Sequence, residues 1–200
     1  MKKAFWGLLA LIAVGLVFFG LRYYQLRQAA QLWEGPVPEI LSEKLEKQAD
    51  TMTIEFTARI DAPPATVFSA FTEPERSMEF SNIVRYSKLL QHEGNRKVVE
   101  FEMVILGQPQ QLTLEFTFLP EENRVAVRTV ENQFSDLSGE YRLTPSPDGT
   151  KTLLTYSGTS RDKAKLPVPL ALQKSALRET FVSTIQALKK GLAAQGRGAT

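Results

Sequence analysis

The sequence predicts an α+β architecture: a curved, seven-stranded antiparallel sheet around a long C-terminal helix, preceded by an N-terminal transmembrane helix. Three observations carry that reading. Apolar residues alternate with polar ones in the first of seven strand-like runs between residues 51 and 159 and most cleanly in two of the other six, as half-buried strands require. One soluble stretch, 167–192, keeps a helical period over its whole length. Ahead of both, Ala4 to Leu21 form a run of 18 residues without a charge.

That run follows Lys2 and Lys3 and ends at Arg22. A bilayer-spanning helix needs about 20 residues, with a range near 17 to 25. A cleaved signal peptide has a shorter apolar core, about 7 to 15 residues, and a small-x-small cleavage site. Here Phe18-Phe19 occupy the far end of the run and Tyr23-Tyr24 follow like an interfacial aromatic belt, so residues 1–24 read as an uncleaved signal anchor. Lys2, Lys3 and the amino terminus slightly outweigh Arg22 and Arg27, which places the N-terminus in the cytoplasm and the domain across the membrane. The expected location is therefore a bacterial inner membrane, single-pass, with the domain outside the cytoplasm. Residues 25–50 read as a linker: 25–33 can continue the anchor helix, Gly35-Pro36-Val37-Pro38 stops it, and the charge-alternating 39–48 reads as a short linker helix.

The domain proper is expected over 51–194, with a disordered tail at 195–200. Met52, Ile54, Phe56, Ala58 and Ile60 alternate with polar residues in the first strand. Asp61-Ala62-Pro63-Pro64 turns the chain into a short helix over 65–72, and a second short helix is expected over 75–80. Six strands follow, at 83–90, 97–106, 111–119, 124–131, 137–144 and 151–159. Gly94-Asn95, Gly107, Pro120 to Asn123 and Asp148-Gly149 supply turn chemistry between them. Val99, Phe101, Met103 and Ile105 oppose Glu100 and Glu102, and Leu112, Leu114, Phe116 and Phe118 oppose Thr113, Glu115 and Thr117. One sheet face is thus apolar and the other wet. In the terminal helix Leu170, Leu177, Phe181, Ile185, Leu188 and Leu192 form one stripe, with Pro167 and Pro169 at its start and Gly191 and Gly196 near its end. At 1.5 Å per residue it is about 35 Å long, enough to cross the sheet and cover the apolar face.

Charge and composition exclude several function classes. The formal charge is +2, yet residues 50–160 carry ten basic against sixteen acidic groups and residues 161–200 eight against two, a basic tail on an acidic body. No basic patch interleaved with aromatics occurs in the body, which argues against nucleic acid. The chain has no cysteine and one histidine, His92, in a polar turn, so a metal site, a thiol nucleophile or a histidine-based triad has too few parts. Glu100 and Glu102 face water, where neither gains the raised pKa of a general acid. No cofactor and no catalytic residue is assigned. The basic residues Arg161, Lys163, Lys165, Lys174, Arg178, Lys189 and Lys190 either solvate the helix and its approach loop or meet anionic headgroups.

The run Ile60-Asp61-Ala62-Pro63-Pro64-Ala65-Thr66-Val67-Phe68, continued by Phe71-Thr72-Glu73-Pro74-Glu75, resembles the opening of the START-related polyketide cyclase/dehydrase and lipid-transport (SRPBCC) superfamily. Gly139-Glu140-Tyr141-Arg142-Leu143, the Asp148-Gly149-Thr150 turn, Tyr156 and the proline-initiated terminal helix resemble its closing half. The likeness covers about residues 52–192 and implies a helix-grip fold whose sheet and helix enclose an apolar cavity for lipids, sterols, polyketides or hormones. One departure is visible. Members often carry Trp-x-Pro near the end of the second short helix, where this chain has Phe80-Ser81-Asn82.

Ligand pockets are mostly apolar with a few placed polar groups. The residues expected to line such a cavity are Phe68, Phe71, Phe80, Phe101, Met103, Phe116, Phe118, Leu177 and Phe181, with Tyr141, Tyr156 and Arg128 as polar candidates; Arg128 equally fits a solvent-facing position. Phe134 belongs to the same set of interior aromatics, for which plain core packing is the competing reading. The expected function is membrane-anchored binding of a lipid or other hydrophobic small molecule, for transport, presentation or sensing. A cyclase or dehydratase acting on a polyketide-like substrate is the alternative, and a protein-interaction role is a third.

Overall fold

Alternating side chains build one antiparallel sheet of eight strands in a computed structural model that describes residues 32–36, 38–163 and 168–197. The strands are β1 (Ser42–Gln48), β2 (Thr51–Ile60), β3 (Val84–Glu93), β4 (Arg96–Ile105), β5 (Gln108–Leu119), β6 (Arg124–Asn132), β7 (Ser135–Pro145) and β8 (Thr152–Asp162). Their spatial order is β1-β2-β8-β7-β6-β5-β4-β3, so β1 and β3 are the edges. Between β2 and β3 the chain crosses to the far edge through helix α1 (Pro64–Phe71) and a 3-10 helix (Pro74–Glu79), and α2 (Leu170–Arg197) closes the fold.

The chain divides into two units, Met1–Pro36 and Val37–Thr200. In the first, residues 32–34 are helical. The anchor expected over 1–24, the linker up to residue 31 and the last three residues of the expected tail lie outside the described residues. No helix among the described residues is long and apolar enough to cross a membrane.

The eighth strand corrects the sequence reading. Residues 39–48, expected as a linker helix, contain β1, which pairs with β2 from Ser42↔Thr57 to Gln48↔Thr51. Charge alternation misled here because an edge strand also tolerates charge on most positions. What fixes it as a strand is one apolar residue: Leu45 is buried opposite Ile54. Glu43 and Lys47, two residues either side of Leu45, share its face. Glu43 pairs with Arg178 at 3.1 Å, Lys47 donates to Gln173 at 2.7 Å, and upstream Glu39 accepts from Gln186 at 2.6 Å. These three contacts strap residues 39–47 along α2.

The remaining strands agree with the sequence to within a few residues. The short helix expected over 65–72 is α1, Pro64–Phe71, and the second short helix is 3-10. Two-residue turns tighten the hairpins: Leu106 and Gly107, both at positive φ (51° and 75°), make the β4–β5 connection. Helix α2 has 28 residues and runs through Gly191 and Gly196 to Arg197, beyond the expected end at Leu192 and into the expected tail. The core lies between the concave sheet face and α1 and α2. Ile54, Phe56, Ile60, Val67, Leu143, Leu154 and Ile185 are fully buried there, each contributing about 1.5–3 kcal/mol of transfer free energy. Leu170, the first residue of the expected stripe, is exposed.

Candidate functional site

The core packed under the sheet does not fill the space along α2, whose residues from Gln173 to Ala194 border a cavity. Toward the β1–β2 turn and the β4–β5 and β6–β7 hairpins, α2 stands away from the strands and leaves this cavity of about 1000 Å³, at the large end for small-molecule sites. Alternation positions its wall. Met52, Ile54 and Phe56 of β2, Phe101 and Met103 of β4, and Leu112, Leu114 and Phe116 of β5 present their side chains to it, and Leu177, Phe181 and Leu188 of α2 face them. Phe71 at the end of α1 and Phe80 after the 3-10 helix complete the apolar lining. Phe181 also stacks on Phe56, centroids 4.7 Å apart and planes 13° from parallel.

Most of the predicted residues are brought together. Phe71, Phe80, Phe101, Met103, Phe116, Tyr141, Tyr156, Leu177 and Phe181 all line the cavity. Phe68, Phe118 and Arg128 are not part of its lining. Phe68 and Phe118 meet edge to face at 6.5 Å in the packed core between α1 and β5. Arg128 takes the solvent-facing alternative: on the outer face its Nε and Nη2 donate to the Glu115 carboxylate at 2.7 and 2.8 Å, and Arg96 adds a third bond at 2.8 Å. Those bonds, Arg128 first, hold the buried Glu115 carboxyl below its ordinary range against the opposing effect of burial. His92 is exposed at the end of β3, and Glu100 and Glu102 alternate away from the cavity.

Tyr141 and Tyr156 form the polar element of the inner wall. Paired across β7 and β8, their rings lie 4.9 Å apart, and Tyr141 packs at the same distance on Phe71. The Tyr141 hydroxyl shares a hydrogen bond with Thr184 of α2, yet burial pushes its pKa up to about 12. Burial, with Tyr141 beside it, raises Tyr156 further, and the Tyr156 hydroxyl is buried without a hydrogen-bond partner. Both phenols are therefore neutral at physiological pH and unsuited to act as bases. Room for Tyr156 comes from a cross-strand glycine pair, Gly139↔Gly158. A Cβ on Gly139 would stand 2.6 Å from the Tyr156 hydroxyl and 2.7 Å from the Ser157 carbonyl oxygen.

At the hairpin end the wall turns polar. Ser160 and Asp162 of β8, Gln108 and Gln110 of β5, Asn132 at the end of β6 and Gln173 of α2 ring the cavity, with the exposed apolar Leu106 and Phe134 beside them. Lys47 donates to Asp162 and to Gln173, and Gln173 in turn donates to the Val168 carbonyl at 2.8 Å. This cluster was missed in the sequence. Its members stand 115 and 126 residues apart, in no motif, and Lys47 comes from the unrecognised β1. On the other flank Arg76 is bonded to Glu73 and Glu79, each at 2.7 Å.

Comparison with known proteins follows the fold. Over residues 51–195 the chain matches the family described as polyketide cyclase / dehydrase and lipid transport. No curated protein sequence matches it. Among solved structures, a Streptomyces aromatase/cyclase is similar at TM-score 0.66 and 17% identity, covering 74% of this chain and 98% of that one. A START superfamily protein from Mycobacterium smegmatis is similar at TM-score 0.59 and 17% identity, with 72% and 98% covered. A STAR-related lipid transfer protein from Xanthomonas axonopodis is similar at TM-score 0.54 and 16% identity, with 76% and 98% covered. At such identities the likeness concerns the fold alone, and the matched family supplies the rest: the chain belongs to the polyketide cyclase/dehydrase and lipid-transport family, built as a helix-grip sheet around its C-terminal helix.

Proposed function

We propose that this chain is a membrane-tethered binding module that holds a lipid or other hydrophobic small molecule between its sheet and α2, for transport, presentation or sensing. The observation that carries the reading is a cavity of about 1000 Å³ whose deep wall is aromatic and aliphatic. An apolar cavity of that size represents unrealised burial, at about 25 cal/mol for each Å² of ligand surface removed from water. The tether rests on the sequence of residues 1–24, and with it the placement of the domain outside the cytoplasm of a bacterial inner membrane. An anchor keeps the cavity at high local concentration relative to the bilayer, a ready source of hydrophobic ligand.

A second reading, a cyclase or dehydratase acting on a polyketide-like substrate, draws on one observation, the tyrosine pair in the inner wall. The raised pKa values leave Tyr141 and Tyr156 able to donate a hydrogen bond to a substrate carbonyl but not to abstract a proton at neutral pH. The binding reading needs no such chemistry and is preferred. Native mass spectrometry and organic extraction of the full chain purified from a membrane fraction test it: a stoichiometric bound hydrophobe, unaltered in structure, is expected. An empty cavity after gentle purification, or turnover of an added polyketide-like chain that Tyr141→Phe abolishes, overturns it.

A further inference from the structure

The charged residues that line the cavity are all paired within the chain. Among the described residues that line it, only Glu73, Arg76 and Asp162 carry a carboxyl or a basic side chain. Asp162 is held by Lys47, and both side chains are largely buried. Arg76 lies between Glu73 and Glu79. The nearby Lys163 is bonded to Asp136 at 2.9 Å and to the Asn132 carbonyl. Among the described residues that line the cavity, no cation is left without a carboxylate partner. The polar groups that remain at the hairpin end are uncharged, amides and hydroxyls such as Gln108, Gln110 and Ser160, and the wall beyond them is aromatic and aliphatic.

Resting on the lipid-binding reading, we infer that the cavity selects a neutral-headed amphiphile, seated apolar end first, with a hydroxyl, ester or amide head in the collar formed by Gln110, Ser160 and Gln173. An ionised carboxylate or phosphate placed there would lose its hydration and meet only the Lys47–Asp162 pair, whose charges already offset each other. A neutral head exchanges water for amide and hydroxyl partners at little net cost. Charge on the head, more than chain length, is therefore what this mouth discriminates.

The test uses the full chain reconstituted in phosphatidylcholine vesicles with two photoactivatable probes carrying the same diazirine-labelled chain: a monoacylglycerol and the corresponding fatty acid. It is run at a pH where the fatty acid is ionised in the bilayer, and labelled peptides are mapped by mass spectrometry. The monoacylglycerol is expected to label β4, β5 and α2 peptides at least about tenfold more than the fatty acid, equivalent to about 1.4 kcal/mol. Gln110→Lys should bring the two probes toward parity by supplying the missing cation. Gln110→Glu should widen the gap between the two probes. Equal labelling of the wild type by both probes, or preference for the fatty acid, overturns the head-group inference but leaves the lipid-binding reading standing. If neither probe labels cavity peptides, the lipid-binding reading itself fails.

Discussion

Replacing Phe181 by Ala removes a ring that both supports the core and borders the cavity, and the size of the loss reports how those roles divide. Phe181 is 4% exposed and stacks on Phe56 at 4.7 Å. Truncating a fully packed Phe costs about 3–5 kcal/mol. Of that, about 0.5–1.5 kcal/mol belongs to the ring pair itself. Because one side of the ring already faces open volume, the vacated space joins the existing cavity, and contacts are lost mainly on the Phe56 side. The expected cost is therefore near the lower end, about 3 kcal/mol. At about 2–4 °C per kcal/mol for a domain of this size, the melting temperature should fall by about 6–12 °C. Near-UV circular dichroism during thermal unfolding is the assay, since it follows the packing of the aromatic cluster. A cycle with Phe56→Ala should show a coupling of about 0.5–1.5 kcal/mol. A loss below about 1 kcal/mol, or no coupling, would refute the assignment of Phe181 as a packed pillar of the cavity wall.

Three further outcomes follow from geometry already described. Glu115 titrates below its ordinary range in the folded state, so the stability it contributes is complete above the unfolded carboxyl pKa and is lost as pH falls through the lowered folded value. Glu115→Gln should flatten the acid limb of a stability-versus-pH curve and, with its Arg96 and Arg128 partners partly solvated, cost about 1–2 kcal/mol in urea unfolding at neutral pH. Gly139→Ala should destabilise by about 1–3 kcal/mol through overpacking. Adding Tyr156→Phe should recover only part of that in the same assay, because the Ser157 carbonyl oxygen still stands 2.7 Å from the new methyl. Leu106→Asn should raise the melting temperature slightly, by the equivalent of about 0.5–1 kcal/mol, since a left-handed turn position favours Asn over Leu.

Much of this architecture was legible because it rests on local period. The alternation of Val99, Phe101 and Met103, and of Leu112, Leu114 and Phe116, specifies both strand and inner face without reference to partners. Alternation yields Phe101, Met103 and Phe116 among the lining residues, and the helical stripe of α2 adds Leu177 and Phe181. Alternation fails for Phe118, which has the right parity but sits where α1 and Phe68 fill the space: parity gives the face, and only the third dimension gives the depth along it. Arg128 failed differently, since β6 carries a polar residue on each face near the mouth and nothing local says which turns inward. The Lys47–Asp162–Gln173 cluster was illegible in principle. It depends on β1 being a strand, and Leu45 alone is too little periodicity to announce one.

The two edges of the sheet bear on how this molecule behaves in company. Strand β1 offers a neighbouring chain a row alternating in sign: Glu43, Lys44, Glu46 and Lys47. At the other margin β3 is interrupted twice, with register shifts between Val84 and Tyr86 and between Leu89 and Gln91. A bulged strand cannot present an unbroken ladder of donors and acceptors, and a charged one repels its own copy in parallel register. Crowding many copies together raises their encounter rate. Defended margins of this kind let such copies collide without zipping into a continuous sheet.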